Sequence, residues 1–130
     1  MPQSLKFDTV EVAKYADMLV DAAGVAPAEA RKAVAKGALN IKTDARRRRS
    51  GSKYLPRLAA AITYESQATR TGGWAEVGPE HGKAQGNLGH IPESGTLKNA
   101  PEPYMRPAAE AELPRFERAM EAAAAKALDR

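Results

Sequence analysis

His81 and His90 are the chain's two histidines, nine residues apart in a glycine-rich stretch. A zinc site draws on four ligands, or three and a water. Near these two stand only Glu80 and Glu93. The sequence places no serine or cysteine nucleophile with either histidine, so a hydrolytic triad has no support. Cysteine is absent altogether, which removes thiolate chemistry and disulfides. Gly78-Pro79-Glu80-His81-Gly82-Lys83-Ala84 looks like a phosphate loop but fails GxxxxGK(S/T). It is one residue short, and Ala84 replaces the magnesium-binding hydroxyl. Gly82, Gly86 and Gly89 do not have GxGxxG spacing. The residues thus predict no enzyme, no metal and no cofactor.

The remaining chemistry is charge. Residues 1–65 carry 12 Lys/Arg against 7 Asp/Glu, and residues 66–130 carry 8 against 9. Within 31–57, ten bases face Asp44 alone, a local excess larger than the net +4 of the whole chain. Arg46–Arg49 is the densest part. Clustered arginine can neutralise phosphate and release counterions. It is equally the ordinary end of a helix, where cations meet the negative pole of the dipole. Four consecutive arginines point to different sides of a helix, so they do not form one reading face. Trp74, Tyr54 and Tyr64 could stack on bases, but core packing is the expected use.

A third feature is punctuation. Residues 86–109 hold Pro92, Pro101, Pro103, Pro107, Gly86, Gly89 and Gly95, with few apolar residues. The composition predicts a long loop without secondary structure of its own, from Gly78 to Pro107. Such loops are uncommon in compact domains unless they have a function. With no catalytic group in it, the stretch reads as a surface that docks on another protein.

The elements that must position these features follow from periodicity. Asp8 and Glu11 have the form of a capping box. Val12, Ala16, Leu19 and Ala23 then recur at helical spacing, so a first helix is predicted over 9–23, with Gly24 as its C-cap. Pro27 opens a second helix, with Ala30, Val34, Ala38, Ile41 and Ala45 on its apolar face, running to about 48. Tyr54 to Ala61 is ambiguous, with room for a short helix after Pro56. Ile62–Ser66 and Trp74–Val77 alternate as two strands of a hairpin around Thr71-Gly72-Gly73. A final helix over 107–128 presents Leu113, Phe116, Met120, Ala123 and Ala127. Pro114 kinks or breaks it, and Glu110, Glu112, Glu117 and Glu121 form its solvated face. The fold class is α+β. N-terminal helices and a long C-terminal helix pack on a small antiparallel sheet, in one domain over 1–130. Much of the apolar content is alanine, so the predicted core is thin and contacts between subunits are expected to add stability. No stretch reaches the ~18 apolar residues of a membrane helix, and the N-terminus has no signal-peptide pattern.

The order of these pieces resembles the tail-component or tail-completion family of long-tailed bacteriophages, small proteins of the head–tail junction. The resemblance lies in Val77-Gly78-Pro79, Ile91-Pro92-Glu93-Ser94-Gly95-Thr96, and Pro101-Glu102-Pro103-Tyr104-Met105-Arg106-Pro107-Ala108. Lys36-Gly37-Ala38-Leu39-Asn40-Ile41-Lys42 looks like the family's helix, and the similarity spans about residues 30–128. The chain departs from the pattern at Pro92 and Ser94, where the family has an apolar and an aromatic residue. The resemblance implies a non-enzymatic virion protein, assembled in the bacterial host cytoplasm. It would form a homo-oligomeric, six-fold ring that joins or completes the tail at the connector and lines the DNA path. Its neighbours would be connector, stopper or tail-terminator and tail-tube proteins. Gly95, Thr96, Pro101, Pro103, Tyr104, Met105 and Arg106 would dock on a neighbouring subunit or ring, with Tyr104 and Met105 as apolar anchors and Arg106 as a polar one. Lys42, Arg46, Arg47, Arg48, Arg49, Lys53 and Arg57 would face the DNA channel or an acidic neighbour, with non-specific contact to phage DNA.

The competing class is a small basic DNA-binding protein. It needs a recognition helix with a polar, groove-facing patch, and the basic helix offers Asn40 alone. Self-assembly against a steep salt-dependent DNA affinity separates the two classes.

Overall fold

The computed structural model describes residues 5–8, 25–70 and 72–128, so the helix expected over 9–23 lies outside the described residues. Helix α1 spans Val25–Arg49. Pro27 sits in its first turn, where a missing N–H removes no helical bond. Ala30, Val34, Ala38, Ile41 and Ala45 are all buried, as their spacing requires. Ala33 and Gly37 are buried as well, so the helix is covered on more than one face.

One side of α1 packs on the sheet and another on the C-terminal helix. After a short helix α2 (Leu58–Ala61) come β2 (Ile62–Thr69) and β3 (Gly72–Pro79), an antiparallel hairpin with Tyr64 opposite Val77. Both strands run longer than expected, and Gly72 and Gly73, read as turn residues, belong to β3. A third strand, β1 (Leu5–Asp8), pairs with the other edge of β3, giving the order β1-β3-β2. Its residues alternate, Leu5 and Phe7 against Lys6 and Asp8, but no strand was expected there, since no turn or second alternating run adjoins it as in the hairpin. Ala75 and Val77 of β3 are fully buried.

The stretch after β3 is not the structureless loop its composition predicted. It contains a 3-10 turn (Gly86–Leu88) and a short helix, α3 (His90–Ser94). Pro92 is the third residue of α3, in the one turn of a helix that tolerates proline. Gly86 is obligatory: a Cβ there would lie 1.8 Å from the Glu80 carbonyl oxygen.

Helix α4 runs from Met105 to Leu128 without interruption at Pro114. Its buried stripe is Met105, Ala108, Glu112, Phe116, Met120 and Ala123. Two sequence expectations fail here. Leu113 is 47% exposed and Glu112 is only 2% exposed. Residues 108, 112, 116 and 120 are four apart, so the face set by Phe116 and Met120 necessarily includes 112. The buried carboxylate is satisfied: Asn40 Nδ2 donates to it at 3.1 and 3.2 Å, and Arg115 Nε lies at 2.9 Å. Glu112–Asn40 near the middle and Glu29–Lys126 (3.2 Å) near the end fix α1 and α4 as antiparallel neighbours.

The fold class is thus α+β, with a long C-terminal helix, and α1 is the layer between that helix and the sheet. The core cluster includes Ala30, Ala33, Ala38, Ala45, Ala75 and Ala108. Its largest fully buried side chains are Tyr104, Ile41, Leu58 and Ile62.

Candidate interaction surface

The proline-rich run is tied to the body at fixed points. Glu93, in α3, reaches the start of α4 and accepts backbone N–H bonds from Tyr104 (3.1 Å), Met105 (2.9 Å) and Arg106 (3.2 Å). Those are the donors a helix leaves without intrahelical partners, and a carboxylate there also meets the positive end of the dipole. The Glu102 N–H donates to the Pro92 carbonyl at 2.7 Å. The Tyr104 hydroxyl donates to the Gly89 carbonyl at 2.9 Å.

These ties correct part of the expected docking set. Tyr104 and Met105 have 0% and 2% exposure and belong to the core of this chain, so neither offers an apolar anchor to a neighbour. Thr96, Pro101, Pro103 and Arg106 are exposed, and Gly95 is half-buried. Gly95 has φ +75°, and a Cβ on it would lie 2.8 Å from the Pro101 nitrogen, so glycine is required. Just beyond it the backbones of Thr96 and Asn99 bond to each other in both directions, at 2.9 and 3.3 Å. The pair closes a tight turn with Leu97 and Lys98 at its tip. The Thr96 hydroxyl also accepts from the N–H groups of Lys98 and Asn99. Leu97 is fully exposed. It was absent from the expected set, and its one signal was an apolar residue in an otherwise polar turn.

The basic residues are largely engaged within the chain. Arg46 Nε donates to the Ile62 carbonyl at 2.8 Å. Arg47 and Arg48 both pair with Asp44. Burial pushes the Asp44 carboxyl up, but hydrogen bonds from Arg47 and Arg48 outweigh it and hold the group below its ordinary value. The Arg49 guanidinium lies 5.6 Å from the centre of the Tyr104 ring and 3.3 Å from Glu102, while its Nε is buried with no hydrogen-bond partner among the described residues. Lys42 lies over Tyr64 at 5.3 Å and Lys53 over Tyr54 at 5.8 Å. Arg57 is exposed, and its backbone N–H donates to the Gln85 side chain. The seven bases therefore do not converge on one site. Tyr54, expected in the core, is 82% exposed.

His81 and His90 are both exposed. Among the described residues no group of three or more His, Cys, Asp or Glu could hold a metal ion, and no helix is long and apolar enough to cross a membrane. No protein-family description, curated protein or solved structure matches this chain.

Proposed function

We propose that this chain is a structural subunit of the head–tail junction of a long-tailed bacteriophage. It assembles as a homo-oligomeric ring, six-fold by resemblance, between connector-side and tail-tube proteins, and it carries no catalytic activity. The reading rests on the run from Val77-Gly78-Pro79 to Met105-Arg106-Pro107-Ala108. The observation that carries its docking role is the turn at Thr96–Asn99, which holds a fully exposed Leu97 on a segment tied down at Glu93 and Glu102. An ordered, proline-stiffened arm loses less entropy on docking than a free one. A ring requires one face of each subunit to meet a different face of the next, and a projecting apolar tip suits such a contact. The contact surface of the arm is Gly95, Thr96, Leu97, Pro101, Pro103 and Arg106, and the basic residues line the DNA path or meet an acidic neighbour.

The test is Leu97→Asp, introduced into the genome that encodes the chain. Leu97 touches no core residue, so folding is expected to be unchanged. Electron microscopy of lysates is expected to show filled heads and separate tails. Normally joined particles from a stably expressed variant would overturn the assignment of the arm. Normal particles after deletion of the whole gene would overturn the junction role.

A further inference from the structure

Among the described residues, no strand pairs with the outer edge of β2. The Glu80 N–H donates to the Ala61 carbonyl at 2.8 Å, so that pair is a hydrogen-bonded position. In an antiparallel ladder such positions alternate. Residues 63, 65 and 67 therefore turn their backbone groups toward β3, and Ile62, Tyr64, Ser66 and Ala68 turn theirs outward. Ile62 is accounted for: its N–H bonds the Ala59 carbonyl, and its own carbonyl accepts from Arg46. At the far end Arg31 Nη2 donates to the Thr69 carbonyl at 2.5 Å. Thr69, like residues 63, 65 and 67, faces β3, so that bond closes the end of the hairpin; on the outer edge the N–H and C=O groups of Tyr64, Ser66 and Ala68 have no partner among the described residues.

Natural edge strands are usually blunted by lysine, proline, a bulge or a covering element. From Thr63 to Ala68 β2 has no lysine or proline, and its register with β3 is unbroken. The face beside this edge is covered in part, at Tyr64, where Lys42 of α1 lies 5.3 Å from the ring centre. On the side of the sheet that α1 covers, Ala75 and Val77 of β3 are fully buried, while Tyr64, Ser66 and Ala68 of β2 are exposed. A groove of about 290 Å³ lies there, lined by Arg31, Lys32, Val34 and Ala35 of α1 and by Ser66, Gln67, Ala68 and Gly73 of the hairpin.

We infer that the free edge of β2 pairs with β2 of a second copy of this chain, antiparallel about Ser66, and that Tyr64 of each copy enters the groove of the other. The register follows from which backbone groups are free. Ser66 meets Ser66 of the second copy, and Tyr64 meets Ala68. The pairing is self-complementary in three respects. A large side chain faces a small one on the groove side. Glu65 falls opposite Gln67, so no like-charged residues of the two β2 strands stand opposite one another. The half-exposed Tyr64 ring is delivered to the end of β2 where the groove lies, between Ala68 and Val34. Main-chain bonds supply affinity in such strand addition, and the pockets for alternate side chains supply specificity. A buried tyrosine at each end adds apolar area while its hydroxyl stays at the polar rim.

This contact is two-fold, so it is separate from a head-to-tail ring interface and does not depend on the head–tail reading. The chain has no cysteine, which makes the test clean. Opposed Cα atoms at a hydrogen-bonded position are about 5.5 Å apart, within disulfide range. Purified Ser66→Cys is expected to give a covalent dimer under mild oxidation, whereas Thr43→Cys, on the exposed side of α1, is expected to stay uncrosslinked. The parent chain is expected to sediment as a dimer and Ser66→Pro, which removes an edge N–H, as a monomer with unchanged circular dichroism. A monomeric parent with no Ser66→Cys crosslink would overturn the pairing. So would a parent oligomer that Ser66→Pro leaves intact, since the contact would then lie elsewhere.

Discussion

Tyr104 joins three parts of the molecule through one side chain. Its ring is buried, its hydroxyl bonds the Gly89 carbonyl, and its face receives the Arg49 guanidinium. Burial, reinforced by the negative charge of Glu93 and partly offset by Arg49, pushes the phenol well above its ordinary value of 10.0. Below that value the phenol is neutral in both the folded and unfolded chain and gives no pH dependence. Above it, the unfolded chain ionises while the folded one stays protonated, so stability falls as pH rises. Denaturant titrations are expected to show a loss approaching about 1.4 kcal/mol per pH unit from this group. Tyr104→Phe should remove that alkaline component and lower stability at neutral pH by about 1–3 kcal/mol, because the Gly89 carbonyl loses its donor. An unchanged alkaline slope in the variant would show that another group is responsible. In the sequence Tyr104 was expected to be an outward anchor, because the family resemblance made its proline-rich run a docking surface. Its burial comes from Gly89, fifteen residues away, and from Arg49 on another helix, and no local pattern reports either. Glu112 was hidden for a similar reason. A glutamate on an amphipathic helix normally faces water, and its burial here depends on Asn40 across the helix pair together with Arg115 on its own helix.

At the scale of elements, the sequence was most informative where a period was long. The apolar face of α1 follows from spacing, and the hairpin from two short alternating runs on either side of a turn, although both strands extend beyond those runs. β1 and α3, four and five residues long, do not. α3 is further concealed by Pro92, which reads as a breaker but occupies a first turn. Pro114 is the opposite case: it lies in the middle of α4, is exposed, and the helix continues through it. It forfeits one backbone bond and crowds the carbonyl four residues earlier. Pro114→Ala is therefore expected to raise stability by up to about 3 kcal/mol, read as a higher midpoint in thermal or urea unfolding. A lower midpoint would mean that the local backbone geometry Pro114 imposes is needed for α4 to pack on α1.

At the scale of the whole molecule, the excess of positive charge in 31–57 overstates what the surface presents. Arg46 is spent on the edge of β2, Arg47 and Arg48 on Asp44, and Arg49 on Tyr104 and Glu102. Seven phosphate contacts would give a slope of log affinity against log salt near −6, whereas Lys42, Lys53 and Arg57 alone give about −3. Fluorescence anisotropy with duplex DNA across a salt series is expected to return the shallower value, with little preference for sequence. A slope near −6 would show that the arginines leave their internal partners on binding, and would favour the DNA-binding class.

The closed turn at Thr96–Asn99 also bears on how such a chain can vary in length. Its two ends are held together by their own backbone bonds, so whatever lies between them is carried outside the body. Lengthening a loop costs only about 0.6 kcal/mol per doubling. Extra residues inserted between Leu97 and Lys98 would thus alter the reach of the arm while leaving Glu93, Tyr104 and the start of α4 in place. The tip is where this protein can be refitted to a differently shaped neighbour without being refolded.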